Sequence, residues 1–472
     1  MQSNQFRRTR VAAAVAGLAL ALGAGQAFGA AFALQEQNAS GLGHAYAGGA
    51  AAAEDVSTIF YNPAGLVRLQ TMQVVVAANL ICPSAKFNDN ASKPAVYQSL
   101  GGTGGDAGGC AGVPNLYLGV PVTDKWSFGL GINAPFGLKT EYDSDWLGRF
   151  QAIKSSVETI NVNPVLSWEP TKNLTVGAGF SWQQLKAELT KDANYAAAFA
   201  QGVGGLVAAG TIPASAAPTL VGSAAGLQSF AKITGDDGSW GWNVGVLWQA
   251  TPQTRIGASY RSPIKYDVSG NVSFTNPTAV GPLPPTLAPV GVALVTGVNA
   301  QLADGGVKLS IKMPESANVS IYSEVNKNWD LMADLQYTGW SSIQELQVVR
   351  NTGSVLSTLP WHFRNTWRAS AGVNYHYSDE WMFRGGVAYD QTPTNNTDRT
   401  PGLPDNNRRW LAMGAHYQMG KTWGIDLAYA YIFIQNPSID QNGGNTAAFG
   451  LIKGSYNANV NIFGAQVTYT FK

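Results

Sequence analysis

The sequence predicts an all-β fold, a fourteen-stranded antiparallel transmembrane β-barrel with an N-terminal hatch inside the lumen and helical extracellular loops. Three observations support it. Segments of about ten residues or more alternate between apolar and polar side chains, as in a strand that crosses a bilayer at a tilt. Short polar turns interleave with long connections, as the two ends of such a barrel require. The N-terminus has the pattern of an export signal.

The first element in the chain is a predicted signal peptide at residues 1–29. Basic residues from Arg7 to Arg10 precede an apolar run from Val11 to Ala24, and small residues lead up to Gly29. No later apolar run is long enough for a membrane helix. We therefore expect an exported protein of a Gram-negative outer membrane, in contact with its lipid and lipopolysaccharide.

The second element, residues 30–70, is rich in Gly and Ala and reads as neither a strand nor a long helix. The Asn62-Pro63-Ala64 sequence forces a bend near its end, because proline disfavours helical backbone in the residue before it. A segment of such small side chains cannot form its own core. We expect it to be the hatch, with Asn62, Pro63 and Ala64 as its gate, packed inside a barrel formed by residues 71–472.

The strands follow. In 422–433 the apolar face carries Trp423, Ile425, Leu427, Tyr429, Tyr431 and Phe433. A soluble β-sandwich also alternates, but its strands are shorter and need no aromatic residues at their ends. The predicted strands are 71–81, 113–122, 126–138, 149–168, 173–190, 240–250, 254–274, 306–326, 329–349, 361–377, 381–392, 408–419, 422–434 and 455–471.

Two of the long connections, 191–239 and 275–305, are apolar and Ala-rich. Helices are expected from Asn194 to Ala209 and from Pro289 to Leu302. A contiguous apolar patch on an exposed loop usually marks a binding surface. These loops form either a binding groove or a lid over the barrel mouth, and their Val, Leu and Phe content favours the groove.

Six segments, in this order and spacing, resemble the long-chain fatty acid outer-membrane transporters of the FadL type, whose relatives include toluene- and xylene-uptake channels. They are SGLGHAYAGGAAAAEDVSTIFYNPAGL (Ser40–Leu66), APFGLKTEY (Ala134–Tyr142), SYRSPIKYDVSGN (Ser259–Asn271), DLQYTGWSSIQEL (Asp334–Leu346), WMFRGGVAYDQTPT (Trp381–Thr394) and LPDNNRRWLAMGAHY (Leu403–Tyr417). The resemblance covers essentially the whole mature chain, and it implies a monomer.

The resemblance also implies a route for a hydrophobic cargo. The cargo is captured between the two helical loops, passes to a pocket bounded by the hatch, and leaves sideways through an inward kink in the third strand. The matching residues are Pro135, Phe136 and Gly137. Proline cannot donate to a ladder and glycine permits a bend, so this tripeptide is suited to interrupt a strand. A simple bulge at this point is the alternative.

Cargo identity is left open between long-chain fatty acids and monoaromatic hydrocarbons such as toluene or xylene. A fatty acid needs a cation for its carboxylate in an otherwise apolar pocket, whereas an aromatic hydrocarbon needs none. Cations that could only brace the wall are equally common in barrels. The candidates for the lumen face are Lys186, Arg255, Arg261, Arg368, Arg384 and Arg408.

Other functions find little support. The histidines His44, His362, His376 and His416 lack metal-ligand spacing, and no G-x-S-x-G motif occurs, so neither a cofactor nor an outer-membrane lipid hydrolase is expected. The long N-terminal insert argues against a general porin. A net charge of +1 without a basic block argues against nucleic acid as a partner. Cys82 and Cys110 could pair across one loop in an oxidising compartment.

Overall fold

A computed structural model describes residues 31–471; the predicted signal peptide lies outside them. The chain forms a closed antiparallel barrel of fourteen strands, which confirms the predicted fold class. The first strand pairs with the second on one side and with the last strand on the other, from Gln73↔Thr470 to Asp89↔Gly454, and this ladder closes the barrel.

The sheet comprises twenty segments, because several barrel strands are interrupted. Their bounds are β1 Gln73–Asp89, β2 Ala111–Thr123, β3 Trp126–Asn133, β4 Gly137–Glu141, β5 Lys154–Thr171, β6 Leu174–Ala193, β7 Ser229–Gln249, β8 Thr254–Arg261, β9 Ile264–Thr275, β10 Gly305–Met313, β11 Ser316–Asn326, β12 Trp329–Thr338, β13 Glu345–Arg350, β14 Val355–Pro360, β15 Thr366–His376, β16 Trp381–Asp390, β17 Arg408–Met419, β18 Trp423–Ile434, β19 Ser438–Gln441 and β20 Ile452–Thr470.

The helices are short. They are α1 Ala39–Gly43, α2 Thr58–Tyr61, α3 Tyr195–Ala208, α4 Ala217–Ser223, α5 Ala288–Gln301 and α6 Thr446–Phe449, with 3-10 turns at Pro63–Arg68, Ala214–Ala216 and Trp340–Ser342. Among the described residues, no helix has both the length and the apolar character needed to cross a membrane.

Alternation along the strands separates an apolar outer face from the lumen. In β12, Trp329, Leu331 and Leu335 are exposed, whereas Asp330 and Asp334 between them are buried. Aromatic pairs lie near both ends of the outer apolar band, as an interfacial girdle requires. Trp126–Trp168 and Trp329–Tyr375 lie beside the short turns, and Trp242–Tyr260 and Tyr337–Trp367 lie towards the long loops.

The hatch segment, with α1, α2 and the turn Pro63–Arg68, is buried within the barrel along most of its length. Asn62 anchors it: Nδ2 donates to Ala50 O at 2.7 Å and to Val246 O at 3.0 Å, and Oδ1 accepts from Ala64 N at 3.0 Å. A Cβ atom on Gly245 would lie 1.9 Å from Asn62 Oδ1, so this close approach requires glycine in β7.

Strand interruptions occur in the third barrel strand and, at corresponding points, in four consecutive barrel strands further along the chain. β3 breaks at Pro135, β8 gives way to β9 beside Pro263, and β10 gives way to β11 at Pro314. Proline removes a ladder donor and explains these three breaks. The segments 339–344 and 361–365 interrupt the next two barrel strands.

The predicted helices agree with α3 and α5 within two residues, but several predicted strand limits are wrong. β1 continues to Asp89, β7 begins at Ser229 rather than at residue 240, and β14 occupies most of the predicted loop 350–360. These extensions project beyond the apolar band, where outward side chains such as Asp236 are polar. The criterion of an apolar outer face therefore missed them.

Cys82 in β1 and Cys110, which directly precedes β2, form a disulfide. It fastens the extended part of β1 to the start of β2. In the loop-entropy treatment, a link across a separation of 28 residues stabilises the fold by about 3–4 kcal/mol.

Candidate functional site

In the part of the chain that the structure describes, an upper and a lower chamber of the lumen lie on either side of five buried aromatic residues, Phe32, Phe136, Trp340, Trp361 and Phe363, which we call the aromatic partition. The centroid of Phe32 lies 4.8 Å from that of Trp340 and 6.2 Å from that of Phe136, and Trp361 stacks on Phe363 at 5.1 Å. All except Phe32 belong to strand interruptions. Because the backbone leaves its ladder there, these rings turn into the lumen.

The upper chamber lies on the long-loop side of the partition and encloses about 1010 Å³, including its opening to solvent. Its walls are mainly aliphatic and come from the lumen faces of β6, β7, β10 and β13; they include Leu185, Leu189, Ile233, Ile311 and Leu346. Such a cavity is suited to an apolar chain or ring.

Two lysines line the upper chamber. Lys154 Nζ pairs with Glu188 Oε1 at 2.9 Å, and Glu188 also pairs with Lys232. Lys191 Nζ donates to Ser357 Oγ at 3.3 Å and lies 5.4 Å from the centre of the Phe449 ring. Among residues 31–471, no carboxylate lies within ion-pair distance of Lys191. Lys191 is thus the cation in this chamber whose ammonium group is available to bind an anion.

Above the chamber, α3 and α5 pack together through buried side chains that include Phe199, Val203 and Val298. Tyr195 Oη donates to Asn299 Oδ1 at 2.8 Å and joins the two helices. Val292 on α5 is 67% exposed, so the paired helices retain an apolar face towards solvent. These loops meet the requirement for an apolar capture surface.

The lower chamber encloses about 680 Å³, including its opening. Polar side chains line much of it: Asn243, Ser259, Arg261, Asn318, Gln336 and Thr338. Pro135 and Phe136 form part of its wall, so this chamber is bounded directly by the interruption of the third barrel strand.

The barrel wall is incomplete beside that interruption. β3 pairs with β2 from Leu116 to Thr123, but β4 forms its ladder with β5 alone. Residues 111–115 of β2 therefore have no ladder partner on this side within the described chain. The predicted kink at Pro135, Phe136 and Gly137 coincides with this opening.

Residues 31–37 of the hatch, which we call the strap, cross the inner side of the kink. Leu34 N donates to Pro135 O and Gly137 N donates to Phe32 O, both at 2.8 Å. Gln37 Nε2 donates to Ala134 O at 2.9 Å. The strap thus supplies the kinked segment with backbone partners that β2 does not provide.

Four of the predicted lumen cations hold the hatch or a loop. The hydrogen bonds run from Arg255 to Ala51 O and Ala52 O, from Arg368 to Ala45 O, from Arg384 to Glu54 and Asp426, and from Arg408 to Asp405. Arg261 faces the lower chamber. The structure therefore places these five arginines in the lumen, but distributes them over separate sites.

The prediction that Lys186 faces the lumen is wrong. Its side chain is exposed, whereas the neighbouring Leu185 and Ala187 line the upper chamber. Residues two apart in a strand share a face, so Lys186 lies on the same outer face as Phe180, which is 56% exposed.

Sequence reasoning missed Glu36 in the strap, which lies inside the lumen and is not part of a spanning strand. Asn79 Nδ2 and Asn115 Nδ2 donate to its backbone oxygen, at 2.8 and 3.3 Å. Its carboxyl oxygens have no hydrogen-bond partner among the described residues. Burial raises the pKa of Glu36 to about 7. Burial also disfavours the charged form of His44, the C-terminal cap of α1, and lowers its pKa to about 4.

Lys191 and most of the partition were also missed. Lys191 lies in a segment that was predicted to be a loop. The aromatic residues of the partition lie outside the ladders, where the alternation of apolar and polar residues cannot predict which side chains face the lumen. Among the described residues, no cluster of three or more His, Cys, Asp or Glu side chains is placed to hold a metal ion.

Comparison with known proteins is consistent with this architecture. The family model described as "Outer membrane protein transport protein (OMPP1/FadL/TodX)" matches residues 20–471. The long-chain fatty acid transport protein of Escherichia coli K12 is 27% identical over 448 residues, covering 93% of this chain and 95% of that protein. Outer membrane protein P1 of Haemophilus influenzae is 28% identical over 428 residues, covering 88% of each.

Solved structures are similar as well. A FadL homologue of Pseudomonas aeruginosa superposes with a TM-score of 0.81 at 26% identity, covering 94% of this chain and 100% of that one. The toluene transporter TodX of Pseudomonas putida gives a TM-score of 0.63 at 18% identity, with coverage of 94% and 99%. The second likeness concerns the fold alone.

Proposed function

The chain belongs to the OMPP1/FadL/TodX family of outer-membrane transporters of hydrophobic compounds, which are not enzymes, and from this premise we propose that its cargo is a long-chain fatty acid. The relatives named as long-chain fatty acid transport proteins support this choice. We further propose a monomer that contacts outer-membrane lipid and lipopolysaccharide.

The observation that carries the proposal is Lys191 in the upper chamber. The aliphatic walls suit the hydrocarbon chain, and the ammonium group without a carboxylate partner suits the head group. A charge-assisted hydrogen bond in a poorly hydrated site contributes about 1.5–3 kcal/mol. A cargo without an anion would leave this cation uncompensated, which is unfavourable.

The proposed route follows the geometry. The fatty acid is captured on the apolar face of α3 and α5, enters the upper chamber and binds with its carboxylate at Lys191. Movement of the strap away from the kink then opens the wall where β4 has left β2, and the cargo leaves sideways. The bend at Asn62, Pro63 and Ala64 holds the body of the hatch against β7 while this happens.

A monoaromatic hydrocarbon such as toluene is the second candidate. The aliphatic lining of the upper chamber favours it, since an uncharged ring needs no cation. In that case Lys191 would only bind Ser357 and the Phe449 ring.

Binding of oleate, oleyl alcohol and toluene to the purified protein tests the proposal. We expect Lys191→Gln to weaken oleate binding roughly tenfold or more, because one charge-assisted hydrogen bond is lost, and to leave oleyl alcohol binding nearly unchanged. Lys186→Gln on the outer face of the same strand is the matched control. Equal oleate affinity in the wild type and Lys191→Gln, with tight toluene binding, would instead support the hydrocarbon cargo.

A further inference from the structure

Arg261 differs from Arg255, Arg384 and Arg408, the lumen arginines that lie within ion-pair distance of a carboxylate. Its Nη2 atom donates to Phe60 O at 3.0 Å, and its guanidinium lies 4.5 Å from the centre of the Phe60 ring. Arg384 and Arg408 form ion pairs with carboxylates. No carboxylate lies within ion-pair distance of Arg261 in the described part of the chain. The other N–H groups of the Arg261 guanidinium therefore donate to no carboxylate of the described residues.

The surroundings of Arg261 are unusually polar for a route that carries hydrophobic compounds. Asn243 and Asn318 also line the lower chamber. Asn243 Nδ2 and Asn318 Oδ1 are buried and lack hydrogen-bond partners among the described residues. Buried polar groups are normally satisfied by protein, water or ligand. A cation and orphaned amides around one cavity therefore point to a polar occupant.

An occupant of the lower chamber would lie between the partition and the opening in the wall. Lys191 lines the upper chamber and Arg261 the lower one, so the aromatic partition lies between the two cations. Pro135 and Phe136, at the opening in the wall, also bound the lower chamber. A cargo that crosses the partition reaches Arg261 beside the exit.

We propose that Arg261 binds the carboxylate of the cargo in the lower chamber, as a second anion site between the partition and the lateral opening. The inference rests on the proposed function, and it restricts the substrate class to amphiphiles with an anionic head group. Arg261 receives the head group as it leaves Lys191, so that the charge is not left unpaired while the chain passes through the kink. Loss of Arg261 slows transport of anionic cargo and leaves neutral cargo largely unaffected.

The test measures uptake of oleate and of oleyl alcohol by cells that depend on this transporter. Arg261→Gln is expected to lower the ratio of oleate to oleyl alcohol uptake about tenfold, since a charge-assisted contact of about 1.4 kcal/mol or more corresponds to that factor. Arg261→Lys keeps the cation and should restore most of the ratio. Lys265→Gln, an exposed position on β9, is the control, and heat-modifiable migration in electrophoresis verifies the folded barrel.

The alternatives give different results. If Arg261 only braces Phe60, Arg261→Gln changes the uptake of both compounds equally and the ratio stays constant, which overturns the inference. An unchanged oleate uptake overturns it too. Wild-type protein that fails to bind oleate would overturn the proposed function and this inference together, whereas oleate binding that depends on Lys191 keeps the proposed function independent of Arg261.

Discussion

Glu36 is the residue whose chemistry conflicts most strongly with its position. It is fully buried in the strap, and its carboxyl oxygens have no hydrogen-bond partner in the described chain. The loss of hydration dominates and raises its pKa from 4.5 to about 7, although nearby backbone amides and the charges of Arg408 and Arg368 favour its ionised form. A neutral Glu36 is therefore the form that the closed strap accommodates best.

This makes the local stability of the strap dependent on pH. A carboxyl whose pKa is higher in the folded state than in the unfolded chain stabilises folding less as pH rises from 4.5 through about 7. Glu36→Gln removes the titration. In the wild type, we expect hydrogen exchange of the strap amides, corrected for the intrinsic rate, to become faster between about pH 5 and pH 8. The free energy of protection should fall by up to about 3 kcal/mol over this range. In the variant, the corrected exchange rate should stay constant.

Asp379→Asn in an exposed short turn serves as the control for this measurement. A wild-type strap with the same corrected protection at both pH values would contradict the expectation, because the buried carboxyl would then not titrate in this range.

The cations show how far single residues could be predicted. Strand phase identifies the lumen positions of Arg255, Arg261 and Arg368. The same rule, applied from the lipid-facing Phe180, would have excluded Lys186, so that error was avoidable. Within the described chain Arg255, Arg384 and Arg408 pair with carboxylates, whereas Arg261 and Arg368 do not. This division could not be predicted, since it depends on hatch and loop atoms brought together only by the fold.

At the scale of elements, the kink and the strap form a single closure. The strap binds Pro135 and Gly137 through backbone atoms. It therefore closes the part of the wall where a continuous third strand would pair with β2. A strap that closes the wall by a few hydrogen bonds can be displaced, because each such bond contributes only about 0.5–1.5 kcal/mol.

Straightening the third strand should close this opening permanently. In the variant Pro135→Val with Gly137→Val, a ladder donor is restored and a strand-favouring residue replaces glycine. We expect fatty acid uptake to fall at least tenfold while the heat-resistant barrel persists and oleate binding in the upper chamber remains. Val120→Ala in β2, away from the kink, is the control; undiminished uptake by the straightened variant would rule out the lateral exit.

The strand interruptions were only partly predictable. Pro135 and Gly137 mark their break in the sequence, and Pro263 and Pro314 could have been read in the same way. The breaks at 339–344 and 361–365 lack such a signal. There the aromatic residues gain burial against Phe32, a partner over three hundred positions earlier in the chain, and sequence periodicity does not contain that contact.

For the whole molecule, the partition decides whether the upper and lower chambers form one cavity or two. Phe32 is 1% exposed and contacts four other rings of the partition. Removing a buried phenylalanine ring leaves a cavity that a well-packed site fills only partially. Its removal would therefore connect the two chambers through the centre of the barrel.

Phe32→Ala should accordingly make the channel less selective. We expect toluene flux into proteoliposomes to increase several-fold, because a small ring no longer meets the partition, and oleate affinity to fall as the upper chamber loses its floor. Phe128→Ala on the lipid-facing side is the matched control. Unaltered toluene flux in Phe32→Ala would mean that the partition does not limit passage.

The strand interruptions also bear on how such a channel can be changed. The residues that divide the lumen lie mainly outside the hydrogen-bonded ladders, whereas the barrel is held by continuous ladders such as that between β1 and β20. Assembly in the membrane and division of the lumen are thus encoded by different positions. A library randomised only at the partition would retain an insertable scaffold in most members, and selection for growth on a new carbon source could then act on permeability alone.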